Sequence, residues 1–165
     1  MAADDRLTTI GVYGFDRDSF LATLGGARVE LLLDIRQRRG VRGAQYAWAN
    51  SQRLQDALAD AGIAYEHRPE LAPTTELRKL QYAVDEEAGV GKRDREELSP
   101  QFKAAYSEEI LGAADLGEVL ALLPAGGPAA LLCVERDAEA CHRSLVADRL
   151  ADVAGLRVEH LTPPA

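Results

Sequence analysis

A chain of 165 residues is long enough for one domain with a substantial core and too short for two ordinary ones. Its formal net charge of −8 argues against whole-surface attraction to nucleic acid or to an anionic membrane, and two cysteines do not make a disulfide scaffold. The N-terminal MAADDRLTT lacks the basic-then-apolar order of a signal peptide, and no apolar run approaches the roughly 18–20 residues of a bilayer span, so the expectation is a cytoplasmic protein with reduced thiols and no membrane partner.

Residues 8–13 (TTIGVY) predict a first strand, ended by Gly14. Asp16 is placed to cap a helix with Phe20 and Leu24 on its apolar stripe, and Gly25-Gly26 to stop it. Residues 29–35 (VELLLDI) form a nearly unbroken apolar run with one acid near its end, which suits a central parallel strand covered on both faces. The loop that follows concentrates Arg36, Arg38, Arg39 and Arg42 against an acidic background. Ser51 is the predicted cap of a helix carrying Leu54, Ala57, Leu58 and Ala61 up to Gly62, and residues 63–67 (IAYEH) predict a third strand closed by Pro69.

Thr74 or Thr75 opens a predicted helix with Leu77, Leu80 and Val84 inward, and residues 86–97, charged and glycine-containing, read as a mobile loop. Ser99-Pro100 is a cap followed by proline at the first helical position, before Phe102, Tyr106 and Ile110. Asp115 caps a short helix ended by Pro124 and Gly126. Residues 129–134 (AALLCV) predict a buried strand. Asp137 or a near neighbour opens a last helix with Val146, Leu150 and Val153 on one stripe, and residues 157–161 (RVEHL) close the sheet. Residues 1–7 and 162–165 read as loose termini. The alternation defines an α/β fold: a mostly parallel sheet of about five strands with helices on both faces, in a single three-layer domain spanning 1–165.

Ligands of open parallel sheets bind beyond the carboxyl ends of the strands, where helix N-termini also point. That rule gathers Tyr13 and Gly14 after strand one, Asp34 and Arg36 at the end of strand two, Tyr65, Glu66 and His67 at the end of strand three, Glu135 and Arg136 after strand four, and Cys141-His142-Arg143 at the last helix. Each has two readings. Asp34 moves protons or pairs with an arginine; Glu135 is a general base or a partner of Arg136 or Arg143; His142, facing inward, transfers protons or is hydrogen-bonded structure. Cys133 reads as a small core residue. Cys141 lies at a helix start beside Arg143, where the dipole and the cation favour thiolate, and is either a nucleophile or inert. Arg36 and Arg38, with Arg143, Tyr13, Gly14 and Tyr65, are the candidate anion-binding set; guanidinium groups grip phosphate or carboxylate in a fork.

Several motifs are excluded. Gly91-Lys92 lacks the first glycine and the final Ser/Thr of a P-loop, and Gly11 and Gly14 do not make GxGxxG. The residue six after Cys133 is Glu139, not the arginine of a phosphatase loop. Cys133, Cys141, His142 and His160 lack zinc-finger spacing, so no metal site is assigned, and no cofactor is named.

The segments TIGVYG, LLLDIR, GIAYEHRPEL and LLCVERDAEACHR, with the closing RVEHL, resemble the family catalogued as domain of unknown function 488 over nearly the whole chain. The resemblance implies a cytosolic α/β domain without an established activity. It marks Gly11, Gly14, Asp34, Arg36, Tyr65, Cys133, Glu135, Cys141, His142, Arg143 and His160 as motif positions. The chain departs from it at Leu71-Ala72-Pro73-Thr74, where many relatives have Leu-Gly-Gly; that backbone freedom is lost here.

Two functional expectations follow. One is an enzyme on a small anionic or nucleotide-like substrate, with Asp34, Glu135, Cys141 and His142 as catalytic candidates. The other is a non-catalytic nucleic-acid or nucleotide-binding module using the arginine loop with Tyr46 and Trp48 as stacking rings.

Overall fold

The computed structural model describes residues 6–91, 95–124 and 128–164. Five strands, β1 (Arg6–Ile10), β2 (Leu31–Asp34), β3 (Ala64–His67), β4 (Ala129–Leu132) and β5 (Arg157–His160), form one sheet in the order β3-β2-β4-β1-β5. Every pairing is parallel, with Asp34 level with Leu132 and Ile10 also level with Leu132. The sequence pattern explains the order. LLLD and AALL are buried at every position, as interior strands must be. AYEH and RVEH alternate between exposed and half-buried, and these are the two edges.

Helices α1 (Arg17–Gly26) and α2 (Ser51–Asp60) cover one face, where Phe20, Leu24, Leu54 and Leu58 pack on Ile10, Leu32 and Leu132. The other face is covered by α3 (Thr75–Ala88), α4 (Pro100–Tyr106), α5 (Leu116–Leu122) and α6 (His142–Ala154). There Leu77, Phe102, Tyr106, Val119 and Val146 meet Leu7, Leu31, Leu33 and Leu131. This is the expected three-layer α/β arrangement.

Local chemistry sets most helix starts. Asp16 and Ser19 form a reciprocal capping box on α1. Thr74, Ser99 and Asp115 accept from the backbone amides of Leu77, Phe102 and Glu118. Several expectations change. The first strand ends at Ile10 and begins at Arg6, so Arg6 and Leu7 are not a loose terminus. Ser51 is the first helical residue of α2, and the cap is Asn50, whose side chain accepts from Val41 N–H instead. α1 continues through Gly25-Gly26; the left-handed residue after it is Arg28. Asp137 opens only a 3₁₀ turn (Ala138–Ala140), and α6 starts after Cys141.

The inward face of α3 is Leu77, Gln81 and Asp85, while Leu80 is exposed. Val153 is likewise exposed, at 59%. Residues 86–88 belong to α3, and the segment read as a loop contains the buried Arg95. The expected loose residues 1–5 and 165, the helix stop at Gly126 and positions 92–94 lie outside the described residues.

Gly11 and Gly25 form a controlled contrast. A Cβ on Gly11 would lie 2.0 Å from the Glu135 carbonyl oxygen; one on Gly25 meets nothing within 4 Å. Gly11→Ala is therefore expected to cost about 1–3 kcal/mol or more through overpacking. Gly25→Ala, inside a helix, is expected to gain about 0.5–1 kcal/mol. Urea midpoints of the two variants, read beside the parent, check both signs.

Candidate active site

After β2 the chain runs to α2 on one face of the sheet; after adjacent β4 it runs to α6 on the other. The two connections diverge, which leaves a crevice at the carboxyl ends of β2 and β4. A pocket of about 720 Å³ occupies it. Its lining includes Arg36, Arg38 and Arg42 from the first connection, Cys133, Glu135, Cys141 and His142 from the second, and Arg78 from α3.

At the end of β2, Asp34 is fully buried and grips Arg36 in a fork, with Nε to Oδ1 and Nη2 to Oδ2 both at 2.8 Å. Arg36 also donates to the Ala49 carbonyl. The Tyr65 hydroxyl donates to Asp34 Oδ2 at 2.5 Å, and His67 Nε2 donates to the Arg36 carbonyl. A buried carboxylate requires such partners. Burial first, and then the hydrogen bond to Asp34, push the Tyr65 phenol up to about 12, against the opposing pull of Arg39. Asp34 thus has both oxygens engaged by Arg36 and Tyr65.

Arg143 is 0% exposed and absent from the pocket lining. Its Nη1 and Nη2 donate to the carbonyls of Glu135 and Arg136, at 2.6 and 3.1 Å, and its Nε donates to Thr9 Oγ1. With the Thr9 hydroxyl accepting from Arg143, its own proton points to His160 Nδ1 at 2.7 Å. Burial, followed by the Arg143 charge, lowers the His160 pKa and keeps that ring a neutral acceptor. Arg143, expected to bind ligand, instead secures the segment after β4 to β1. Gly11 allows the Glu135 carbonyl to approach.

Two sulfurs and an imidazole nitrogen meet on the pocket floor. His142 Nδ1 lies 3.5 Å from Cys133 Sγ and 3.7 Å from Cys141 Sγ, and Nε2 donates to the Ile35 carbonyl at 3.0 Å. Burial pushes the Cys141 thiol up. The hydrogen bond from Cys133, the charge and hydrogen bond of His142, and the Arg143 charge outweigh it and hold Cys141 well below the ordinary thiol range. Burial and the neighbouring Cys141 hold Cys133 well above it. Burial lowers His142, but the charge and hydrogen bond of Cys141 reverse the balance and raise it. Cys141 is thus biased towards thiolate, His142 towards its protonated form and Cys133 towards the neutral thiol. Cys133, expected to be only a core residue, is part of the floor.

Glu135 stands beside it. Its Oε2 is 3.5 Å from Cys133 Sγ and its Oε1 accepts from Arg95 Nη2 at 3.2 Å. Arg95 also binds Asp85 Oδ2 at 2.6 Å and the Ala140 carbonyl. Asp85 accepts from Gln81, whose Oε1 accepts from Ser99 N–H. Arg95, Gln81 and Asp85 were not legible as site residues. The one signal was the i, i+4 spacing of Gln81 and Asp85 on a face that also carries Leu77.

On the wall, Arg38 is exposed and no hydrogen bond holds its guanidinium among the described residues, whereas Arg39 reaches the Tyr65 hydroxyl at 3.4 Å. Arg42 is exposed, and Arg78 is half-buried with an Nε that has no partner among the described residues. Tyr13 lines the pocket and packs on Tyr46, whose hydroxyl accepts from Gly14 N–H; Gly14, at φ 91°, is outside the lining. Trp48 packs 4.9 Å from the Phe20 ring. The two rings proposed as base-stacking platforms are therefore engaged within the chain.

A three-layer α/β domain with a pocket at a sheet switch point is a class shared by many chemistries, so the fold alone does not define the activity. The chain belongs to the family described as Domain of unknown function DUF488, whose model matches residues 16–150. No curated protein and no solved structure gives a match. Among the described residues, no helix is long and apolar enough to cross a membrane.

The raised Tyr65 pKa has a definite sign. The folded chain keeps the phenolic proton that the unfolded chain releases near 10, so this stabilisation is complete below pH 10 and is lost as pH rises towards about 12. Tyr65→Phe is expected to be less stable at neutral pH and to show a shallower decline across that interval. Urea midpoints at a series of alkaline pH values measure the difference.

Proposed function

We propose that this chain is an enzyme acting on a small anionic substrate of phosphate or carboxylate type, held in the pocket between β2 and β4. One observation carries the reading: the wall presents Arg38, Arg42 and Arg78 while the floor presents a thiol pair, an imidazole and a carboxylate. A chain of net charge −8 that collects guanidinium groups around one concavity creates a local positive field there. Arg78 lines the same pocket, and a guanidinium fork suits a phosphate or carboxylate.

The residues divide by role. Arg38, Arg42 and Arg78 hold the anion, with Tyr13 as a pocket wall. Cys141 and His142 form the reacting centre, with the Cys141 sulfur as its nucleophile, and Glu135, beside Cys133, moves a proton. Asp34 is a positioning residue: with Tyr65 it fixes Arg36 and so the strand end whose Ile35 carbonyl orients His142. Arg143 positions the other half by holding Glu135 through its carbonyl. Gly14 shapes the turn after β1.

Inorganic phosphate is the simplest probe. It is expected to bind with salt-sensitive affinity and to raise the melting temperature. Arg38→Ala combined with Arg42→Ala is expected to weaken binding at least about tenfold, a change of about 1.4 kcal/mol. Equal affinity of parent and double variant at low salt, measured by calorimetric titration, would remove the arginine wall from the account.

A further inference from the structure

The pocket floor has a geometry that the anion reading does not explain. Cys133 Sγ, Cys141 Sγ and His142 Nδ1 all lie within 4.8 Å of one another. They come from two elements, the end of β4 and the start of α6, and each carrier residue is buried. We infer that Cys133, Cys141 and His142 form a mononuclear site for a zinc-class divalent ion, with a fourth coordination position open to the pocket.

Distances support this directly. A tetrahedral ion with metal–sulfur bonds of about 2.3 Å and metal–nitrogen bonds of about 2.0–2.1 Å separates a sulfur and a nitrogen ligand by about 3.6 Å. The two Sγ–Nδ1 distances are 3.5 and 3.7 Å. Both sulfur–nitrogen edges therefore already have the length that such an ion imposes.

The second support is the far side of the imidazole. Nε2 faces the Ile35 carbonyl at 3.0 Å, and a carbonyl only accepts. In the neutral ring that a metal requires, that bond keeps the N–H on Nε2 and presents Nδ1 to the two sulfurs. Metal-binding histidines are oriented in this way by a carbonyl or carboxylate on the opposite nitrogen. The ligand set selects the metal class. Two sulfurs and an imidazole suit zinc, and are poor ligands for magnesium or calcium, which take oxygen.

Ligand number indicates the role. Structural zinc is enclosed by four protein ligands, whereas catalytic zinc has three and an open position. Here the set among the described residues is three, and all three line the pocket. Glu135 is the carboxylate beside the site, with Oε2 at 3.5 Å from Cys133 Sγ. Such a centre polarises a bound anion or acidifies a bound water, and Glu135 is placed to exchange its proton. The ion's binding does not depend on what the pocket accepts; only its catalytic use rests on the proposed function.

The probe is Co²⁺ alone, titrated into full-length protein that has been reduced and stripped with a chelator. The expected result is saturation at one equivalent, with tetrahedral visible bands and a near-ultraviolet thiolate-to-cobalt charge-transfer band, all displaced by Zn²⁺. Cys133→Ser and Cys141→Ser should each reduce the charge-transfer band and weaken binding at least about tenfold. Absence of that band in the parent protein overturns the inference whether or not the variants fold. So does a band that both serine variants retain in full. Cobalt binding without phosphate binding would keep the metal site and overturn the anion reading, and phosphate binding without cobalt would do the reverse.

Discussion

Two backbone carbonyls, those of Glu135 and Arg136, receive the buried guanidinium of Arg143, and the position of the site depends on that attachment. A fully buried cation must be matched by acceptors, and breaking such an arrangement from one side typically costs about 3–5 kcal/mol. Here the acceptors belong to the chain that leaves β4, so satisfying Arg143 also fixes the path between Cys133 and Cys141. Thr9 supplies a third acceptor from β1, and the absence of a side chain at Gly11 allows the Glu135 carbonyl to come close. The same charge favours thiolate at Cys141. One side chain thereby couples packing, loop geometry and the electrostatics of the floor.

The other half is built by the same means. Arg36 is matched by Asp34 and the Ala49 carbonyl, and Arg95 by Asp85, Glu135 and the Ala140 carbonyl. These buried arginines hold the segments that form the pocket. The exposed Arg38 and Arg42 remain on its wall. The distinction between arginines that hold the fold and arginines that face the pocket is the main functional content of the architecture. It also shows how an acidic chain gathers several guanidinium groups around one concavity.

The strands were readable because burial on both faces leaves uninterrupted apolar runs, and LLLD and AALL had them. The rim was readable because parallel topology sends every strand's carboxyl end the same way. Individual roles were less legible. Arg143 looked like a ligand-binding group because a sequence cannot show that two carbonyls and a threonine absorb its donors. Arg95 looked solvated within a charged, glycine-containing stretch; its burial requires partners 40 and 45 residues away, at Glu135 and Ala140. Leu80 was expected inside α3 because apolar residues usually turn inward. The helix instead buries Gln81 and Asp85, whose polar groups are satisfied by Ser99 and Arg95. Cys133 and Cys141 gave no metal-ligand signal because their eight-residue spacing matters only once β4 and α6 bring them together.

A crystal structure of the reduced protein grown with inorganic phosphate tests this division of the arginines most directly. The account predicts phosphate in the pocket between Arg38, Arg42 and Arg78, with Arg143 still on the Glu135 and Arg136 carbonyls. Phosphate bound by an Arg143 that has left those carbonyls, or phosphate excluded from the pocket, would contradict it.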